Sequence, residues 1–135
     1  MKVLSIKEPY ATLIMNGIKK IETRSWKTNY RGELYIHASL SNVPKKYYEV
    51  DGLSSLIKDM EMHYGQIICK CKLVDCIEMT EEYIDSMKNN HFVEYICGAY
   101  EIGRYAWVLD FVEKIEPLNA KGKLGIWNYE KNASD

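Results

Sequence analysis

With 135 residues, 47% of them hydrophobic and 27% charged, the chain is sized for one buried core and excludes a disordered segment; no apolar run nears the roughly 20 residues of a bilayer helix. A formal net charge of −1 excludes a protein that coats nucleic acid by bulk electrostatics. The charge is uneven, however: residues 1–46 carry nine Lys and Arg against three Asp and Glu, residues 47–135 nine against sixteen, so an anionic ligand is expected on the side built by the first third.

Val3 to Ile6 reads as a short apolar strand. Pro9 to Asn16 reads as a helix with Pro at its start, Gly17 just past its end, and Tyr10, Leu13 and Ile14 on one buried stripe. From Ile21 to Trp26 apolar or small side chains alternate with Glu22, Arg24 and Trp26, which an extended strand places on one face. The polar run Lys27 to Gly32 predicts a hairpin connection into a strand, Glu33 to Ser39, where Leu34, Ile36 and Ala38 pack and Tyr35 and His37 face away. Ser41 to Tyr64 has a helix-start signal and apolar residues at roughly helical spacing, divided by Gly52.

Gly65 to Glu78 alternates most cleanly and predicts a long central strand. Thr80 with Glu81 and Glu82 forms an N-cap and a dipole-favoured first turn, opening a helix to about Lys88. Asn89 to Arg104 has no clean period and reads as a loop with some irregular structure. Tyr105 to Glu116 is a strand stopped by Pro117, Asn119 to Lys123 a polar loop, and Leu124 to Tyr129 a last strand. About six strands with interspersed helices and no internal repeat give an α+β class. Cys69, Cys71, Cys76 and Cys97 lack metal or disulfide spacing and read as inert core thiols, so neither metal nor cofactor is expected. The first residues lack the apolar centre and cleavage site of a signal peptide, which predicts a cytoplasmic protein.

Gly17, Lys19, Glu22 and Arg24 stand in the spacing Gly-x-Lys-x-x-Glu-x-Arg. Five segments lie in order around them: Leu4 to Ala11, Trp26 to Gly32, His37 to Ser39, Tyr105 to Leu109 and Gly122 to Trp127. On these residues the chain resembles ASCH domains, members of the PUA-like superfamily associated with RNA. The resemblance covers almost the whole sequence. It implies one domain over residues 1–135, a PUA-like curved sheet or pseudo-barrel, and a place in RNA metabolism or transcription coregulation. Glu8 stands where relatives commonly carry Gln. Some ASCH-type proteins hydrolyse an acylated cytidine with the signature Lys, a Thr nucleophile and a separate Glu, and others have been linked to ribonuclease activity. Here Glu22 holds the position of that Thr, and the nearest Thr is Thr23, which a one-residue offset turns to the other strand face.

A Lys, a Glu and an Arg beside aromatic rings supply a point charge, an acceptor, a phosphate-sized fork and a stacking plane, a set suited to a nucleotide. Lys7, Lys19, Glu22, Arg24, Trp26, Tyr30 and Tyr105 are therefore expected to line one ligand-binding cleft whose wall includes the Lys7-Glu8-Pro9 turn. Lys19 and Glu22 are the catalytic candidates if the chain is an enzyme. The bland alternative is a Glu22–Arg24 pair, worth only about 0–1 kcal/mol if exposed. Trp107 and Trp127, in late apolar strands, are expected in the core, and His37 is the histidine nearest the cluster. The expected function is an RNA- or nucleotide-binding module with RNA or a nucleotide as partner and no membrane. The alternative is a small hydrolase on nucleic acid or nucleosides, ribonuclease-like or acylcytidine amidohydrolase-like.

Overall fold

The computed structural model describes residues 1–49 and 52–130. Its strands are β1 (Lys2–Glu8), β2 (Ile21–Arg24), β3 (Gly32–Asn42), β4 (Gln66–Glu78), β5 (Tyr105–Asn119) and β6 (Ile126–Asn128), in one sheet of order β2-β5-β4-β3-β1-β6. Neighbours run antiparallel except for β1 with β3, which are parallel. The helices are α1 (Tyr10–Met15), α2 (Lys45–Tyr48), α3 (Leu53–Ile57), α4 (Glu81–Asn90) and α5 (Phe92–Ile96). The architecture is α+β, as expected, but the sheet is not a closed barrel: β2 and β6 are its two ends and do not pair with each other. Among the described residues no helix is long and apolar enough to cross a membrane.

Alternation along the strands sorts side chains to two faces. On one, Leu4, Ile6, Leu34, Ile36, Leu73, Trp107 and Leu109 meet Leu13 and Ile14 of α1 and Leu53 of α3 in the main core. On the other, Val3, Ile67 and Trp127 form a smaller cluster that takes in Tyr35, so the second face of β3 also packs. Ile21, Met79, Met87 and Ala106 make a third cluster under α4. Fully burying one such side chain stabilises by about 1.5–3 kcal/mol. Trp107 and Trp127 are both buried.

Several boundaries differ from expectation, most of them for a local reason. β5 runs through Pro117 to Asn119, because Ile67 pairs with Leu118 and Cys69 with Lys114; the residues between form a bulge where proline, lacking an N–H, interrupts no ladder bond. β3 continues to Asn42, beyond its expected end at Ser39. The segment 41–64 holds two four- to five-residue helices separated near Gly52, whose φ of +93° suits glycine; Val50 and Asp51 of that segment lie outside the described residues. Within 89–104, α5 forms where a loop was expected, and Glu94 fixes it by accepting hydrogen bonds from the backbone N–H groups of Lys20 (2.7 Å) and Ile21 (3.2 Å).

Candidate functional site

Helix α1 ends in a turn closed by two backbone bonds, from Gly17 N–H to the Ile14 carbonyl and from Ile18 N–H to the Leu13 carbonyl, both 3.0 Å. That paired pattern needs a left-handed residue past the helix end, and Gly17 provides it at φ +78°. Two residues on, Lys19 is 0% exposed. Its ammonium donates to the Cys97 carbonyl, lies 4.5 Å from the Tyr10 ring centroid and stands 3.8 Å from Glu22 Oε1. A buried charge persists only when partnered in this way.

β2 then carries Glu22 and Arg24 on one face. Arg24 Nε and Nη2 donate to Glu22 Oε2 at 3.0 and 2.9 Å. Arg24 Nη2 also donates to the Ser5 carbonyl at 2.8 Å. β6 pairs only with Lys2, Leu4 and the residue between them, so Ser5 lies past the last β1–β6 pair. Arg24 thus bridges β2 to β1, strands separated by three others in the sheet order. The Glu22–Arg24 pair is not the exposed kind: its side chains are 7% and 23% exposed.

Where the sheet stays open lies a cleft of about 1380 Å³. Of the residues singled out from the sequence, Lys7, Glu22, Arg24 and Trp26 line it, and Lys19 supports Glu22 from behind the wall. Trp26 is 39% exposed and stands edge-on to the buried Trp107, with ring centroids 4.6 Å apart. Trp107 Nε1 donates to the Trp26 carbonyl at 3.2 Å.

Tyr30 and Tyr105 do not line the cleft. The Tyr30 hydroxyl donates to the Glu33 carbonyl, and its ring packs against the main core. Tyr105 is the register partner of Arg24 on one side and Glu78 on the other, and its ring also packs against the core. Of the Lys7-Glu8-Pro9 turn only Lys7 reaches the cleft. Glu8 is 0% exposed; its carboxylate accepts from Thr12 N–H (2.8 Å), the Thr12 hydroxyl and His63 N–H (2.9 Å), so it caps α1 in place of Pro9, which has no cap side chain.

Several residues line the cleft beyond the expected ligand set, among them His37, the histidine expected nearest the cluster. Thr23, expected on the other face, is buried yet reaches the wall; its hydroxyl accepts from Ala99 N–H at 3.2 Å, and Arg104 Nη2 donates to its carbonyl at 3.1 Å. Ser5 and His37 are register partners across the parallel β1–β3 pair, which sets their side chains side by side. His37 Nε2 lies 2.7 Å from the Ala120 carbonyl, which only accepts, so Nε2 carries the hydrogen and Nδ1 accepts from the Ser5 hydroxyl at 3.0 Å. Trp127 Nε1 donates to Ser5 Oγ at 3.0 Å and completes a chain running Trp127, Ser5, His37, Ala120. With its partners satisfied, this chain fastens the 120–125 loop to the sheet rather than freeing a nucleophile. Lys121 and Lys123 on that loop are exposed and line the cleft.

The cysteines are free. Burial pushes the Cys71 thiol up to about 12 and that of Cys97 to about 11, the nearby Lys19 opposing the latter, and burial raises Cys69 as well. None is poised as a thiolate nucleophile.

The sequence pattern of the ASCH domain matches residues 4–119. Activating signal cointegrator 1 from Homo sapiens is 29% identical over 92 residues, covering 67% of this chain and 15% of that protein. Its counterpart from Mus musculus is 29% identical over 105 residues, covering 70% and 18%. The chain therefore spans less than a fifth of the length of these relatives. With the Gly17–Arg24 signature folded into one buried ion-pair cluster and the family pattern matched across six of every seven residues, the chain belongs to the ASCH domain family.

Proposed function

We propose that this ASCH domain binds RNA or a nucleotide in the open cleft of its sheet. The charge of the lining carries the reading: among the described residues that line the cleft, Lys7, Arg24, Arg104, Lys121 and Lys123 are basic and only Glu22 is acidic. Glu22 is already paired with Lys19 and Arg24, so the field offered to a ligand is positive although the chain as a whole carries −1. Arg24 is held by Glu22 and by the Ser5 carbonyl, preset to meet a phosphate, and Trp26 offers a partly exposed ring for a base. Arg104, whose Nε and Nη2 are engaged by Ala99 and Thr23 as those of Arg24 are by Glu22 and Ser5, adds a further positive charge. Unpaired cysteines fit action in the cytoplasm.

Binding is favoured over hydrolysis because Lys19 is buried, does not line the cleft and directs its ammonium to the Cys97 carbonyl and Glu22 rather than to a hydroxyl. The test is titration of a labelled single-stranded RNA at low and moderate salt, with acetate release from acetylcytidine followed in parallel. Wild-type binding should weaken as salt rises, because phosphate contacts release counterions, and Arg24→Ala should reduce affinity about tenfold or more. Salt-independent binding that ignores Arg24→Ala would overturn the phosphate role. Robust acetate release abolished by Lys19→Ala would overturn the binding reading in favour of the hydrolase.

A further inference from the structure

At about 1380 Å³ the cleft is larger than the roughly 300–1,000 Å³ of a pocket built for one small molecule. Arg24 and Trp26 come from β2 and the turn after it, while Lys121 and Lys123 come from the segment between β5 and β6. Ligand-facing residues from the end strand β2 and from the connection that crosses from β5 to the other end strand, β6, therefore share one opening.

The loop carrying the lysines is fastened more tightly than its lack of regular structure implies. Ala120 N–H donates to the Gly65 carbonyl at 3.0 Å, and the Ala120 carbonyl is held by His37. Gly122 then lies close against the sheet: a Cβ there would stand 2.9 Å from Ser5 Oγ and 3.0 Å from His37 Cε1, so a larger residue must displace these hydrogen-bonded side chains or the loop. The exposed lysines flank this pinned glycine, which lowers the ordering cost that flexible surface lysines otherwise impose on binding. Leu124 and Leu40 line the same cleft yet are 98% and 81% exposed, leaving apolar surface beside the positive charge.

Resting on the cleft reading above, we propose that the ligand is a single strand of nucleic acid at least two nucleotides long. One nucleotide sits at Arg24 and Trp26, a further phosphate is gripped by Lys121 and Lys123, and the Trp127–Ser5–His37–Ala120 chain sets the position of that grip. A strand is favoured over an acidic peptide because the cleft pairs phosphate-binding charge with flat and apolar surface for bases at both ends.

The experiment compares a nucleoside monophosphate, a five-nucleotide RNA and an acidic peptide as ligands of the full chain. Wild type should bind the pentanucleotide at least tenfold more tightly than the monophosphate and should discriminate against the peptide. Lys121→Ala with Lys123→Ala should erase most of that length advantage and reduce the slope of log affinity against log salt by about 1.4, two contacts at about 0.7 each, and should weaken the monophosphate far less than the pentanucleotide. Gly122→Ala, which crowds Ser5 and His37 but keeps both lysines, should weaken the pentanucleotide more than the monophosphate. Unchanged pentanucleotide affinity and slope in the double variant, with Arg24→Ala still harmful, would overturn the loop assignment and leave the cleft reading standing. Equal binding of the acidic peptide would overturn the strand as ligand. Absence of binding to either nucleotide ligand would overturn the cleft reading, and this proposal with it.

Discussion

Lys19 shows how a residue's role follows from its surroundings rather than its type. A lysine ammonium, on its stem of four methylenes, normally stays in water, but this one is fully buried and is matched by one carbonyl, one carboxylate and one aromatic face. Removing the side chain empties a buried volume and leaves the Cys97 carbonyl without its donor, while Glu22 keeps Arg24. Lys19→Ala is expected to destabilise the fold by roughly 2–5 kcal/mol. Lys19→Met, which keeps the volume and loses only the charge and its hydrogen bond, should cost about half as much. Urea denaturation of both variants checks the order, and equal stability of the methionine variant and wild type would show that the ion pair contributes nothing. The signature spacing marked Lys19, Glu22 and Arg24 because charge between apolar runs is visible in a sequence. Their partners were not visible: the carbonyls of Cys97 and Ser5 are backbone groups, which every residue carries alike.

At the scale of elements, legibility followed periodicity and punctuation. β4 alternates from Cys69 to Leu73 and was readable, although an irregularity puts Ile68 and Cys69 together in the main core and Ile67 in the smaller cluster; α4 was readable too, where the Thr80 hydroxyl accepts from Tyr83 N–H at 3.2 Å. α5 has only five residues, too few for a helical period to emerge, and is held by Glu94 against β2 rather than by its own propensity. Yet α5 and the turn after it supply the contacts of Glu94, Cys97 and Ala99 to the signature, so the least legible segment is the one that fixes the site. The α1 stop sits at the other side of that arrangement. Nothing lies within 4 Å of where a Gly17 Cβ would be, so Gly17→Ala carries a backbone cost alone, about 1–2 kcal/mol for a left-handed alanine. A thermal melt should shift down accordingly. No shift would mean that the turn relaxes to another closure.

For the whole molecule, sheet order decided what strand patterns leave open. Dividing the chain at residue 46 placed the positive charge in the first third, but the cleft draws Lys7 and Arg24 from that part and Arg104, Lys121 and Lys123 from the rest, because the β5–β6 connection folds back beside β1. Long-range pairing of that kind has no local signature, and the same holds for Tyr105, which pairs with Arg24 across β2 and β5 while its ring packs against the core; Tyr30, in the connection after β2, packs there too. The central strand also sets how the fold responds to alkali. Cys69 and Cys71 on β4 and Cys97 beside Lys19 are buried, and burial raises all three thiols above the ordinary value of 9.0, that of Cys97 to about 11 and that of Cys71 to about 12. Between pH 9 and 11 the unfolded chain has therefore released protons that the folded chain still holds. Stability is full below pH 9 and falls as pH rises through that window. The denaturant midpoint should drop between pH 8 and 10, before tyrosine ionisation in the unfolded chain adds to the fall, and the drop should shrink in Cys71→Ala. At pH 8 a small thiol reagent should label half-buried Cys76 first and reach the other three only on unfolding. A midpoint that stays flat from pH 8 to 10, or rapid labelling of Cys71 in the native protein, would show that the β4 thiols are open to solvent and that the main core does not close over the central strand.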